Sequence, residues 1–569
     1  MEVAREQPAV RPLAARELGL AALAAAVLAV AMTWPLALHL GSDVGKDLGG
    51  PLLEAWQVAW IGEALLYRPL ELWQANTFWP DRDTLAFSDA LVGYAPAGLA
   101  AQTSPQAALA VYNPLFLFAY ALAFVGAYLL SRELGLRPAG AVVAGAAFAY
   151  ASWKLAQNGH LHVLSSGAVP LALFLLVRGY RRRSAALAGA GWLVASWQLT
   201  LGFTLGMQLA YLLAVLGAIV ALAGLRRRGR GTRPAAPLVV ATALGLCLFA
   251  ATALFMARPY LRVLDAHPEA RRTPAYVESF SPQPRSFLAA PAESWLWDGP
   301  TYRARAPLAA PDEMALFPGL TIGLLALAGL LSSGFPRRLR VGLAAGVALC
   351  ALLSLGVRDV SGPGRYLTPY RLLFDFAPGW DGVRTPGRIN VLTSLGLALL
   401  AGAGLAALLE RVRARSSSAR VLPAAVAGLA LAGILLEGLG PLAHPRVPPP
   451  PSAVRQAPPP HLHLPAGFEQ DLLYSYWTTA GFPATVNGAG GFDPDWYDRL
   501  RKVVRGFPDA ASVAALRRLG VRTVILHPEL AAGTEWAGAA ARPVAGLPLV
   551  RERVGGAVLF RLASTSSGG

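Results

Sequence analysis

Asp43 and Asp47, four residues apart in Gly41-Ser42-Asp43-Val44-Gly45-Lys46-Asp47, open an acidic, tryptophan-rich segment that runs to Asp89. It carries eight carboxylates against Lys46, Arg68 and Arg82, in a chain whose formal net charge is +17. A carboxylate partly removed from water by Trp56, Trp60, Trp73 and Trp79 can take a proton from a hydroxyl or ligate a divalent cation. Residues four apart share one face of a helix, so the pair can act together if the segment is helical. The structural alternative is an acidic loop beside an interfacial tryptophan belt. Asp81, Asp83 and Asp89 fall in or after Pro80-Asp81-Arg82-Asp83, which is also an ordinary turn sequence.

A second group is Gln157-Asn158-Gly159-His160-Leu161-His162. Histidines at i and i+2 point the same way on an extended chain and can meet a phosphate or a metal. A metal would need further ligands, which Asp43 or Asp47 supply only if the loops converge. A third group lies in Tyr366–Asn390, where Arg371, Arg384 and Arg388, with Arg365 just before, accompany Tyr370 and Trp380. Arginine holds phosphate in a two-pronged fork, and aromatic rings accept a sugar or an isoprenoid chain. Interfacial snorkelling of the same arginines is the plainer reading.

These groups sit between long apolar runs. With 55% hydrophobic and 15% charged residues over 569 positions, the composition is that of a polytopic membrane protein. Runs able to span a bilayer fall near 18–40, 109–131, 138–156, 164–180, 184–201, 204–225, 235–257, 314–333, 340–357, 388–409 and 421–441, which predicts about eleven helices. Arginine clusters at Arg132/Arg137, Arg178–Arg183, Arg226–Arg233, Arg337–Arg340 and Arg411–Arg420 each follow an even-numbered run. With the N-terminus inside, all five are cytoplasmic, and the acidic and histidine segments face outward. The segment from Leu85 to Ala108 is moderately apolar but broken by Pro96, Gly98 and Pro105, and reads as interfacial or re-entrant.

The excess positive charge does not indicate nucleic acid. Only Lys46, Lys154 and Lys502 are lysines, so 47 of 50 basic residues are arginine, clustered between apolar runs as topology signals. Cys247 and Cys350 lie inside apolar runs and form neither a disulfide framework nor a metal motif. Arg5, Arg11 and Arg16 before the first run give the charge order of a signal sequence, but the run is long enough to remain as a spanning helix.

The expected organisation is a cytoplasmic tail (1–17), a transmembrane region (18–441) with outer loops 41–108, 258–313 and 358–388, a proline-rich extended linker (442–460), an extracytoplasmic α/β domain (461–562) and a disordered tail (563–569). In the α/β domain a helix is predicted near Ala510–Leu519, with strands at Val521–His527 and Ala557–Leu562. Asn487-Gly488-Ala489-Gly490-Gly491-Phe492, followed by Asp493, Asp495, Trp496 and Tyr497, reads as a glycine turn or a glycan-stacking surface.

An acidic pair after the first helix, many helices, long outer loops and an outer C-terminal domain together resemble the GT-C class of membrane glycosyltransferases. Gly159-His160-Leu161-His162 with Pro170-Leu171, Arg384-Thr385-Pro386-Gly387-Arg388, and Val486–Phe492 with Pro494 and Tyr497 resemble a group of uncharacterised bacterial membrane proteins within or near that class. The resemblance implies a mainly α, GT-C-like bundle in the bacterial inner membrane. It implies transfer of a sugar from a polyprenyl-phosphate-linked donor to a glycan, lipid or protein acceptor on the extracytoplasmic face.

By the same resemblance the acidic residue of the first outer loop maps to Asp43 or Asp47, although Asp-x-x-x-Asp is not the adjacent or once-spaced pair of many members. The substrate-binding set is then His160, His162, Arg384, Arg388, Arg365, Trp56 and Trp60. The sequence names no cofactor and leaves metal dependence open; a divalent cation, Mg²⁺ or Mn²⁺, would fall to Asp43 and Asp47. The competing readings are a transporter or flippase for a lipid-linked saccharide and a non-catalytic envelope assembly factor. No internal repeat is evident, and the spans hold almost no acids beyond Glu437, which disfavours ion-coupled transport.

Overall fold

The computed structural model describes residues 13–225, 235–358, 360–363, 365–415 and 421–563. Arg5, Arg11, the Arg226–Arg233 group, Arg420 and the tail from residue 564 lie outside the described residues. The protein is mainly helical, with helices over the apolar runs from Ala15–Met32 to Val421–Glu437. A chain surrounded by hydrocarbon must satisfy its own backbone donors and acceptors, and within one segment only a helix does so. By length and composition six described helices can cross a membrane; Pro138–Ala149 and Ser152–Gly159, bent by 44°, add a seventh if they form one span. Ala185–Leu201, Leu320–Leu331 and Val421–Glu437 are apolar but shorter.

Contacts divide the described chain into two compact units. The first comprises residues up to Pro35, Phe116–Leu254 and Arg272–Leu442; the second comprises Leu36–Leu115, Phe255–Arg271 and the residues from Ala443. At the centre of the first unit, the helix Asn390–Arg415 is buried along most of its length against Pro138–Ala149, Leu320–Leu331 and Arg337–Ser354. A Cβ at Gly329 would lie 1.9 Å from the Leu400 carbonyl oxygen, and one at Gly404 2.0 Å from that of Leu325. Glycine at both positions lets the two helix backbones touch, the small-residue packing common between apolar helices. Two arginines read from sequence as topology signals also pair inside this unit: Arg132 Nε donates to Glu17 at 2.5 Å and Arg178 Nη1 to Glu133 at 2.7 Å.

In the second unit, part of the acidic segment is a helix, Gly50–Tyr67, started by Pro51 and buried on most sides. It packs against Ala95–Ala101, the stretch expected to be interfacial, and against Phe468–Trp477. The segment Asn76–Trp79 runs beside Thr485–Asn487, with Thr485 N donating to Asn76 O at 2.8 Å and Trp79 N to Thr485 O at 2.9 Å. Residues some 400 positions apart therefore share one core.

The same unit holds a four-stranded sheet of β1 (His461–Leu464), β2 (Thr523–Leu526), β3 (Leu549–Val554) and β4 (Ala557–Leu562), in the order β1-β2-β4-β3. β1 and β2 are parallel, with Leu462 opposite Val524; the other pairings are antiparallel. β2 and β4 fall on the two predicted strand runs. The predicted helix forms at Ala510–Leu519, where the Asp509 carboxylate accepts from Ser512 N at 2.7 Å and Gly520 (φ +89°) ends it.

The proline-rich stretch is not a free extended tether. Lys46 N donates to Ala443 O at 2.6 Å and Val447 N to Ser42 O at 2.8 Å, a short antiparallel pairing that includes the Asp43–Arg446 bridge. Ser452–Gln456 is helical, and Ala453 and Ala457 join Ile525, Ala557 and Leu559 in the core beneath the sheet. Prolines set the chain direction there, while the intervening small residues are buried.

Candidate functional site

In the first unit the histidine motif and the Arg-Thr-Pro-Gly-Arg motif meet. His160 ends the 3-10 segment Ser152–Gly159, and His162 lies in the one-turn helix Leu161–Leu164. Their ring centroids are 5.6 Å apart at 81°, so the pair is edge-to-face rather than side by side on an extended strand. The Ser152–Gly159 segment is held by Trp153 Nε1, which donates to Ser394 Oγ at 2.7 Å, and by Gln157 Nε2, which donates to Asp312 O at 2.8 Å. Arg388 closes the group: its Nη1 lies 2.8 Å from His162 Nε2.

The residue that organises this group is Glu313, which the sequence reading did not single out. Arg388 Nη2 donates to its Oε1 at 2.6 Å and Nε to its Oε2 at 3.2 Å, while His160 Nε2 lies 3.8 Å from Oε1. Burial alone would raise the Glu313 carboxyl; Arg388 and His160, with Arg384 farther away, outweigh it and hold the group well below the usual carboxylate range. Gly387 makes the approach possible, because a Cβ there would come 2.5 Å from the Glu313 carbonyl oxygen. The Arg-Thr-Pro-Gly-Arg spacing is thus partly a packing requirement.

This geometry corrects the expectation that Arg388 is an open phosphate fork. Its fork already holds Glu313, in a pair whose side chains are only 11% and 8% exposed. Arg384 is half-buried, with its guanidinium 5.1 Å above the Phe280 ring. Arg272 stands over Tyr276 at 5.3 Å, and burial together with the nearby Arg384 charge lowers its pKa. Arg365 is exposed and turned to its neighbour, donating to Tyr366 Oη at 2.9 Å. Arg371 is committed to Asp375 through Nε at 2.9 Å. The group that can attract an anion is therefore His160 and Arg384 with Arg272, built on the Glu313–Arg388–His162 network.

In the second unit the two aspartates differ. Asp43 is buried, its carboxylate accepts from Ser42 Oγ at 2.7 Å, and its carbonyl accepts from Asn113 Nδ2 at 2.8 Å. Asp47 is exposed, with one carboxylate oxygen accepting from Gly49 N at 2.8 Å just before the Gly50–Tyr67 helix. Glu54, one of the eight acids but not singled out, is buried on that helix and accepts from Tyr112 Oη at 3.3 Å. Trp56 and Trp60, expected to touch substrate, are 2% and 0% exposed. Their indoles instead donate to Asn76 Oδ1 at 3.0 Å and to Leu72 O at 2.9 Å. They brace the Leu72–Asn76 stretch that follows the helix.

Other polar groups in this unit are structural. Asn487 Nδ2 donates to Asp471 Oδ1 at 2.8 Å and its Oδ1 accepts from His463 N at 2.6 Å, so the glycine-rich motif anchors β1. Asp83 is forked by Arg262 at 2.7 and 2.6 Å, and Asp81 accepts from Trp496 Nε1 at 2.7 Å. Among the described residues no group of three or more His, Cys, Asp or Glu side chains is placed to hold a metal ion. The donors near Asp43 and Asp47 do not amount to a protein-only site for Mg²⁺ or Mn²⁺.

No family model matches the sequence, and no curated protein does. Among solved structures, 98% of the chain superimposes on arabinofuranosyltransferase AftD from Mycobacteria (mutant R1389S, class 1) with a TM-score of 0.57 at 14% identity. The class 2 structure of that mutant gives 0.56 at 15% identity, again over 98% of the chain. An oligosaccharyltransferase from Archaeoglobus fulgidus aligns over 92% of this chain and 70% of its own, at 14% identity and a TM-score of 0.48. The chain spans 42% of the arabinofuranosyltransferase it matches. The likeness shows the fold, which is GT-C-like.

Proposed function

We propose that this protein is a membrane glycosyltransferase. It moves a sugar from a polyprenyl-phosphate-linked donor to a glycan, lipid or protein acceptor on the extracytoplasmic face of a bacterial inner membrane. The observation that carries the reading is Arg384, with Arg272 near it, and His160 beside the buried Glu313–Arg388 pair, on a GT-C-like fold. Such a group suits a phosphate that gains negative charge as its bond to the sugar breaks.

In the reaction the acceptor oxygen forms a bond to the anomeric carbon while the bond from that carbon to the phosphate oxygen breaks. The phosphate leaves with the bonding electrons, and a carboxylate takes the acceptor's proton. Of the two aspartates expected from sequence to act as base, Asp47 is exposed with one oxygen held by Gly49 N, whereas Asp43 is buried and bound to Ser42. No covalent enzyme intermediate is needed.

The test is transfer from a panel of polyprenyl-phosphate-linked pentoses and hexoses by the purified full-length protein in proteoliposomes, with acceptor glycans and lipids supplied. Transfer that is lost in Asp47→Asn and Arg384→Met supports the proposal. Transfer that survives both, or directional movement of the lipid-linked sugar with no product formed, overturns it.

A further inference from the structure

We infer that the loop 291–298 is an interfacial anchor: Trp295 and Leu296 enter the headgroup region of the bilayer at the level where Trp34 also meets it, and the partner of this surface is the lipid itself. The acidic segment does not supply the interfacial tryptophans, since Trp56, Trp60 and Trp73 are buried. Of the 14 tryptophans, all of them among the described residues, Trp34 and Trp295 alone are exposed, at 56% and 73%. Leu296, beside the second, is 51% exposed.

Both exposed tryptophans sit where an apolar helix ends. Trp34 comes two residues after Ala15–Met32, which is long and apolar enough to cross a membrane. Trp295 N donates to Leu439 O at 3.1 Å, two residues after the apolar helix Val421–Glu437. The two helix ends share one level, because Met32 and Thr33 line the same small cavity as Gly438 and Gly440. On Val421–Glu437, Leu429 and Leu436 are two turns apart, hence on one face, and both are exposed. That apolar face leads directly to the loop. An indole left exposed where such a face ends is in the position tryptophan takes in a bilayer, with its ring among the headgroups and its N–H toward water.

The loop is held in this position by its own contacts. Ser294 N donates to Pro291 O and Asp298 N to Ser294 O, both at 3.1 Å, and Trp297 packs edge-on against Phe317 at 5.2 Å. Gly440 lets the loop press close, since a Cβ there would lie 2.0 Å from the Glu293 carbonyl oxygen. Asp298, paired with Arg305, puts charge beside the apolar pair, a mixture that suits an interface better than hydrocarbon. Phe317 N also donates to Ala289 O at 3.1 Å, so the stretch that carries Glu313 and ends in Phe317 is fastened to the anchor. The anchor thereby ties the Glu313–Arg388 pair to the depth of the headgroups. That a lipid phosphate is met at this depth rests on the glycosyltransferase reading, whereas the depth does not.

The experiment therefore reads depth alone. Trp34, Trp295 and Leu296 are replaced one at a time by cysteine in full-length protein carrying Cys247→Ala and Cys350→Ala, spin-labelled, and reconstituted in vesicles of phosphatidylethanolamine and phosphatidylglycerol. Collision of each label with oxygen, which concentrates in hydrocarbon, and with a water-soluble nickel chelate is compared with labels at Leu429→Cys and at Glu529→Cys, an exposed position in the second unit. The expected oxygen-to-nickel ratio at Trp34→Cys, Trp295→Cys and Leu296→Cys is severalfold above that at Glu529→Cys and no higher than that at Leu429→Cys. A ratio at Trp295→Cys and Leu296→Cys equal to that at Glu529→Cys overturns the inference. So do labels shielded from both reagents, which would mean that protein, such as a second copy of the chain, covers the loop. If one of the two loop variants fails to insert, the other decides. The expected depth in a protein that transfers no sugar leaves the anchor standing and removes the function; transfer with the loop in water does the reverse.

Discussion

Arg388 and Glu313, 75 residues apart in sequence, meet in a fork of 2.6 and 3.2 Å inside the first unit, and the fork reaches His162 on its far side. One of the two motif arginines expected to hold a phosphate is thus a scaffold for its neighbours. Arg384, four residues earlier, is half-buried with its guanidinium above the Phe280 ring.

Removing one member of this buried pair should cost more than removing both. Glu313→Ala leaves the Arg388 charge buried without its partner and should destabilise by about 3–5 kcal/mol. Glu313→Met combined with Arg388→Leu should recover much of that loss. Thermal unfolding of the three proteins in one detergent checks the order. A double variant less stable than Glu313→Ala would show that the pair contributes more than its charge balance.

The two aspartates should separate by readout. Asp47→Asn should lower transfer by about 10²–10⁴-fold, the usual contribution of a general base, with little change in melting temperature. Asp43→Asn, at a buried position hydrogen-bonded to Ser42, should lower the melting temperature as well. Parallel activity and melting curves check this, and the reverse pattern would exchange the two roles.

Asp471 predicts a loss of stability as pH rises toward neutrality. Burial raises its carboxyl from 3.8 to about 7, against the hydrogen bonds from Tyr497 and Asn487 and the charge of Arg501. A carboxyl whose folded value exceeds its unfolded value stabilises the fold fully below the unfolded value and loses that contribution as pH rises through the folded one. The contribution should therefore be complete below about pH 4 and fade through about pH 7. Melting temperature against pH should flatten across that window in Asp471→Asn; an unchanged slope would contradict the assignment.

The clustered histidines, His461 and His463 on β1 with His527, predict the opposite limb. Burial lowers His461 to about 4 and His527 to about 3 from 6.5, and holds His463 well below its usual range. Their neutral forms are favoured by folding, so this stability is complete above about pH 6.5 and lost progressively as pH falls below it. His461→Leu should move the acid unfolding midpoint to lower pH. A midpoint that does not move, followed by tryptophan fluorescence during acid titration, would exclude His461 as a contributor.

The long helices were legible in the sequence because an apolar run of some twenty residues has one stable solution in hydrocarbon. The helix at Ala510–Leu519 was legible because Asp509 and Gly520 mark its ends locally. The helix Gly50–Tyr67 was harder to see, since its acids and tryptophans read as an interfacial loop, and the burial that makes it helical comes from Ala95–Ala101 and Phe468–Trp477. β2 and β4 are mostly apolar runs, whereas β1, of the same length as β2, carries two histidines and β3, of the same length as β4, carries Arg551, Glu552 and Arg553, so neither stood out; β1 is defined by its pairing with β2 across some 60 positions.

For the site, the sequence by itself determined which residue types were present: two aspartates after the first helix, a histidine pair and an arginine-rich motif, each recognisable from short-range spacing. Only the tertiary structure decided which of them meet and what each has left to offer. Glu313 is one of seven acids in a mixed-charge loop, and nothing adjacent to it in sequence marks it. It matters because folding brings it against Arg388 and His160 in a place with little water, where one carboxylate fixes the charges and hydrogen bonds around it. Spacing along a chain records local geometry, whereas desolvation and pairing between distant segments exist only after the chain has folded.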